Sequence, residues 1–213
     1  MKNNAHPYHY SENKSIIQRL IDFGVPLGLL WFYFQFYNFG KVTPSEMVKT
    51  SGLLAIALLS LTLLIGPACR FFPFLNVLKA HRKVWGILSF IFAFLHVSLI
   101  FVYFYKFNFL KFVDFSNPKY LGILAGLIAL FILAVVTATS TKKAMESLSP
   151  NIWKMIQTTA YLALLLAVIH FYIVESKDGV LIIKRLLGQI TFGFAAIVIA
   201  IRLLVSFLPG GKK

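Results

Sequence analysis

Apolar residues fall along the chain in six long blocks, roughly 17–37, 47–68, 84–105, 120–139, 152–174 and 186–207, with short polar or basic stretches between them. Each block holds about 20 residues, the length at which an α-helix crosses hydrocarbon ~30 Å thick. A segment in lipid must satisfy its own backbone hydrogen bonds, and a helix does so. The pattern therefore predicts an all-α fold, a polytopic membrane bundle of six transmembrane helices. Little chain is left over: a polar tail over 1–15, one membrane domain over 16–208 and a basic tail over 209–213.

Punctuation inside the blocks refines this picture. Gly24, Pro26 and Gly28 predict a kink or close packing in helix 1, whose far half, WFYFQFYNF, suits an interfacial aromatic belt. The second helix is expected to end at Gly66-Pro67 and run into a short basic connection. Gly122 and Gly126, four apart in the fourth helix, suit close helix packing. The first block is too long for a signal-peptide core and is read as an uncleaved helix.

Composition agrees: 59% of residues are hydrophobic and only 13% charged, which excludes an ordinary soluble domain. The formal net charge of +14 points to anionic lipid as partner and not to nucleic acid, because Lys and Arg sit in the connections. Most of the 21 Lys and Arg fall on one side when connections are taken alternately. That side has Lys2, Lys14 and Arg19, then Arg70, Lys79, Arg82 and Lys83, then Lys142, Lys143 and Lys154, and finally Arg202, Lys212 and Lys213. The positive-inside rule makes it cytoplasmic, with both termini, in a multi-pass protein of the cell (inner) membrane. The single Cys69 excludes an intrachain disulfide and a multi-cysteine metal site. No Walker loop or G-x-G-x-x-G after a strand is present, so no nucleotide-binding domain is expected. His6 and His9 lie in the polar tail and are read as solvated.

Two histidines stand apart from the other ionisable residues, deep in apolar blocks: His96 and His170. At −3, −7 and −10 from His170 stand Ala167, Ala163 and Ala160; at the same offsets from His96 stand Ala93, Ser89 and Gly86. Spacings of three and four keep such residues on one helix face. An ionisable group inside a membrane is costly and implies a function. The plainer reading is a neutral histidine bonded across helices, with the small residues merely letting helices touch. A proton or ion pathway using the histidines, or a membrane scaffold, also stays open. If the two share a metal, two imidazoles make a poor closed zinc site, which takes four ligands. A haem needs only one or two, since the porphyrin supplies the rest. Without C-x-x-C-H it would be a non-covalent haem b. Two axial histidines leave no open iron position, so the chemistry would be one-electron transfer. Arg82 lies fourteen residues before His96, on nearly the same face and about 21 Å along the axis. There it suits a haem propionate, a quinone or a flavin phosphate, or serves as a positive-inside anchor.

The runs SGLLAIALLSLTLLIGPACR, RKVWGILSFIFAFLH, VVTATS and WKMIQTTAYLALLLAVIHF, in that order, resemble the ferric reductase-like transmembrane domain family over residues 51–171. Within it the nearest likeness is to the haem-binding membrane subunits of periplasmic methionine sulfoxide reductase systems. The family's helix 3 motif carries a haem ligand at the position of His96, and its helix 5 motif carries histidines at the positions of Gln157 and His170. The resemblance thus implies a single haem b in the outer half of the bilayer on His96 and His170, because Gln157 replaces an inner-site histidine; His81 is another possible inner ligand. It also implies an electron-transfer subunit and not a complete enzyme. Implied donors are quinol or a cytoplasmic flavin reductase, with FMN or quinone bound in some relatives. Implied acceptors are an outer-side reductase or ferric iron.

Overall fold

The computed structural model describes residues 15–207. The polar segment before Ser15, with His6 and His9, and the basic segment with Lys212 and Lys213 lie outside the described residues. Six helical segments are long and apolar enough to cross a membrane, as the apolar blocks predict. The first is α1 (Ile16–Phe36), opened by a capping box in which Ser15 and Gln18 each accept the other's backbone N–H. The second, α2 (Pro44–Phe71), opens with Thr43 accepting from the Glu46 N–H and Pro44 in its first turn.

A 3-10 helix over Pro73–His81 then leads directly into α3 (Arg82–Leu99), which continues as a π-turn over Ile100–Phe104. After a short 3-10 turn at Phe109–Phe112 come α4 (Tyr120–Ala138) and the short α5 (Lys142–Ser147). The fifth span is two helices, α6 (Pro150–Thr158) and α7 (Ala160–Glu175). The break falls at Thr158 and Thr159, whose hydroxyls bond back to the carbonyls of Lys154 and Ile156, a habit that bends helices. A two-residue hairpin, β1 (Ser176–Lys177) and β2 (Val180–Leu181), turns through Asp178 and Gly179 at positive φ and leads to α8 (Leu186–Phe207).

One expected boundary moves. α2 does not stop at Gly66-Pro67 but runs through Pro67 to Phe71. A proline inside a helix leaves the carbonyl four residues earlier without its N–H. Here that carbonyl belongs to Leu63, and the Tyr161 hydroxyl of α7 donates to it at 2.8 Å. Another helix thus supplies the missing donor, and α2 continues.

α2 is the hub of the bundle, packed against α3, α8, α1 and α7. It contributes Leu54 and Leu58, both fully buried, while Leu164 of α7 and Val198 of α8 close the core. The other spans bury one side and expose large apolar residues such as Leu121 and Phe131 on the other, the face a lipid-embedded bundle presents. α3 lies chiefly on α2, and α7 chiefly on α4. The resulting helix pairs set the geometry of the two histidines.

Candidate functional site

His96 and His170 meet. Their ring centroids are 6.1 Å apart and the ring planes are inclined at 86°. Each is anchored to its own packing partner: His96 Nδ1 lies 2.8 Å from the Val48 carbonyl of α2, and His170 Nδ1 lies 2.8 Å from the Gly122 carbonyl of α4. In both cases the acceptor stands 48 residues earlier in the chain. A carbonyl only accepts, so each Nδ1 carries the proton and donates it. Each Nε2 then keeps its lone pair, the state in which imidazole binds a metal.

This geometry tests whether the pair fits a haem. Two imidazoles 6.1 Å apart, each with an unprotonated Nε2, are near enough that both could reach one metal held between them. Ligating histidines characteristically donate their other ring N–H to a carbonyl or carboxylate, and both do so here. Among the described residues no group of three or more His, Cys, Asp or Glu is gathered to hold a metal. Two imidazoles suit a metal whose remaining ligands come from a macrocycle. The residues present therefore fit a haem iron.

The small stripes divide in use. A Cβ on Gly86 would lie 3.6 Å from Thr62 Cγ2 of α2, and buried Ser89 donates to the Ala55 carbonyl at 2.9 Å. Gly86 and Ser89 therefore seat α3 on α2. Ala160 and Ala163 are buried in the core. Ala93 and Ala167, one turn from the histidines, are only partly buried beside that core, together with Phe90, Val168 and Phe171. Above His170, Lys119 at the start of α4 donates to the Ile173 carbonyl at 2.7 Å and to the Ser176 carbonyl. A cation there satisfies carbonyls at the end of α7 and fixes the end of the helix that carries His170.

At the opposite end, Arg82 donates from Nε to the Thr62 carbonyl at 3.1 Å. Its guanidinium flanks the Tyr161 hydroxyl: a Cβ on Gly66 would lie 3.7 Å from Tyr161 Oη and 3.8 Å from Arg82 Nη1. Arg202 of α8 lies over the Tyr161 ring, 5.0 Å from its centroid. Gln157 is occupied. Its amide nitrogen donates towards the Val136 carbonyl at 3.1 Å, Thr139 Oγ1 at 3.1 Å and Ser140 Oγ at 3.3 Å, and the Trp153 indole donates to the Thr139 carbonyl at 3.1 Å. The two residues thus finish the end of α4. His81 is buried, with Nδ1 2.8 Å from Asp22 Oδ1 and its ring stacked on Trp85 at 5.6 Å.

Sequence reasoning missed three of these relationships. The carbonyl anchors of His96 and His170 belong to backbone, so no side-chain pattern names Val48 or Gly122 as the acceptor. The Asp22–His81 pair spans 59 residues and joins two helices through a connection that reads only as basic. Gln157 is visible as a departure from a histidine motif, but its partners lie in α4.

No curated protein matches this chain. The model of one family, described as the ferric reductase like transmembrane component, matches residues 51–168, from the second turn of α2 past His96 to just before His170. With more than half the chain matched and six helices long and apolar enough to span a membrane, the protein belongs to the ferric reductase-like transmembrane component family.

Proposed function

We propose that the protein is a b-type cytochrome of the membrane, the electron-transfer subunit of a reductase, holding one haem between His96 and His170. The observation that carries this reading is the meeting of the two imidazoles from separate helix pairs, with both Nδ1 protons given to carbonyls. When bound, such a haem supplies one-electron transfer without an open iron position. The chain's own residues would hold and orient it: His96 and His170 through their Nε2 atoms, with Ala93 and Ala167 as the small residues beside them and Lys119 fixing the end of α7. Family membership supports electron transfer across the membrane.

The rest of the reading concerns direction. Basic residues at the Arg82 end support a cytoplasmic assignment for that end and for both termini, with the haem in the outer half of the bilayer. Electrons then enter from quinol or a cytoplasmic flavin reductase and leave to an outer-side reductase or ferric iron. Arg82 and Arg202 around Tyr161 suit a quinone or an FMN phosphate at the entry side. The order of the motifs supports a place among haem subunits of periplasmic methionine sulfoxide reductase systems.

The test is spectroscopic. Protein purified after expression with added haem precursor should be red, with a Soret band that shifts on reduction and a low-spin ferric signal. His96→Ala and His170→Ala should each remove that signal. A wild-type protein that stays colourless after haem supplementation, or two histidine variants that keep low-spin haem in full, would overturn the reading.

A further inference from the structure

A carbonyl in the middle of a helix is ordinarily covered. It already accepts the N–H four residues on, and the side chain at that position leans back over it, because helical Cβ atoms tilt toward the N-terminus. The carbonyl keeps a second lone pair, but a neighbour can reach it only if that side chain is absent. The residue four after Val48 is Gly52, and the residue four after Gly122 is Gly126.

Both glycines lie against the imidazole that uses the exposed carbonyl. A Cβ on Gly52 would lie 2.9 Å from His96 Nδ1 and 3.1 Å from its Cε1. A Cβ on Gly126 would lie 2.7 Å from His170 Nδ1 and 3.1 Å from both Cε1 and Cγ. Even alanine therefore displaces the ring from its hydrogen bond. The arrangement occurs twice in the same register. The step along the chain from Val48 to Gly122 also carries Gly52 to Gly126, Ser89 to Ala163 and His96 to His170. The α2–α3 and α4–α7 pairs hold their histidines by one and the same device.

We infer that Gly52 and Gly126 are positioning residues for the histidine pair: each uncovers a helix carbonyl that fixes its imidazole as the Nδ1–H tautomer and presents Nε2 to the iron. The inference rests on the haem reading above and assigns the parts of α2 and α4 that set ligand basicity. A donated Nδ1–H makes an imidazole a stronger ligand and favours ferric iron, so its loss raises the reduction potential.

Gly52→Ala and Gly126→Ala are compared with two other glycine variants. Gly188→Ala creates an equal clash elsewhere, with a Cβ 2.8 Å from Ile183 Cγ2, and Gly193→Ala meets nothing within 4 Å. Haemin titration of each purified protein should show affinity about 10- to 100-fold weaker in Gly52→Ala and Gly126→Ala, and a higher midpoint potential for the haem that binds. Gly188→Ala and Gly193→Ala should keep the wild-type affinity and potential. Independently of any variant's folding, 15N spectra of histidine-labelled haem-free wild type should show both imidazoles protonated at Nδ1. Gly52→Ala and Gly126→Ala that match Gly193→Ala, or a proton at Nε2 of either ring, would overturn the inference. Wild type that binds no haem would instead sink the cytochrome reading, with the tautomers still deciding the glycines' role.

Discussion

Arg185 grips Glu46 with both arms of its guanidinium: Nη1 lies 2.5 Å from Oε2, and Nη2 lies 2.7 Å from Oε1. Nη1 also donates to the Tyr37 carbonyl at 2.6 Å, and the guanidinium lies over the Tyr37 ring, 4.6 Å from its centroid. Burial pushes the Tyr37 phenol up to about 12, so that ring stays neutral beside the pair. One side chain thereby ties together the end of α1, the start of α2 and the segment entering α8, all at the end of the bundle away from Arg82.

Lysine keeps the charge at position 185 but cannot make the fork. Arg185 is about a third exposed, 31%, so water screens part of the interaction. Arg185→Lys and Glu46→Gln should each lower stability by about 1–2 kcal/mol, read as a drop in melting temperature in detergent. The double variant should lose less than the two single losses added together, since both break one contact. Fully additive losses would show that the pair is not coupled.

The continuation of α2 past Pro67 makes a second prediction. Tyr161→Phe leaves the buried Leu63 carbonyl without its donor and should cost about 1–3 kcal/mol. Pro67→Ala restores an N–H four residues after Leu63, so Tyr161→Phe should cost clearly less in that background. Thermal unfolding of the four proteins in the cycle measures the difference. An equal cost in both backgrounds would separate the tyrosine from the proline.

Such relationships explain what the sequence could and could not disclose. The spans were legible because hydropathy over about 20 residues is a strong signal. The end of α2 was not, because the penalty at Pro67 is offset by Tyr161, 98 residues from Leu63. Periodicity placed Gly86, Ser89, Ala93 and His96 on one face, but periodicity names no partner helix. Gly86 and Ser89 turn out to meet α2. The histidines were legible as ionisable groups in apolar surroundings; their carbonyl anchors were not, because every residue has a carbonyl.

Gln157 stands where the resemblance implies a histidine, and here its amide finishes α4. Gln157→Leu removes the amide donor shared by the Val136 carbonyl and the Thr139 and Ser140 hydroxyls, while those hydroxyls keep their own bonds to the Val135 and Val136 carbonyls, so it should cost only about 0.5–1.5 kcal/mol. Haem stoichiometry should nevertheless stay at one per chain, as in the wild type, because His96 and His170 lie well along the bundle. Haem assay against protein concentration checks both. Two haems in the wild type, or loss of haem in Gln157→Leu, would assign Gln157 a direct part in binding.

Asp22 and His81 make the last prediction. Both are almost fully buried, at 2% and 1% exposure, and the carboxylate accepts from the imidazole at 2.8 Å. The pair ties α1 to the 3-10 segment that feeds α3, so it bears on how the helix carrying His96 enters the bundle. Removing one partner of a buried hydrogen bond to a charged group costs about 1.5–3 kcal/mol, because the other stays buried without a partner. Asp22→Ala should therefore destabilise by that amount, with a clear drop in melting temperature. Asp22→Asn keeps an acceptor oxygen and should cost only about 1 kcal/mol. His81→Phe added to Asp22→Ala removes the stranded imidazole and keeps a ring against Trp85, which now stacks at 5.6 Å, so the double variant should recover much of the loss. The order of melting temperatures is then wild type, Asp22→Asn, the double variant, and Asp22→Ala lowest. An Asp22→Ala protein as stable as Asp22→Asn would show that the pair contributes no more than its packing volume.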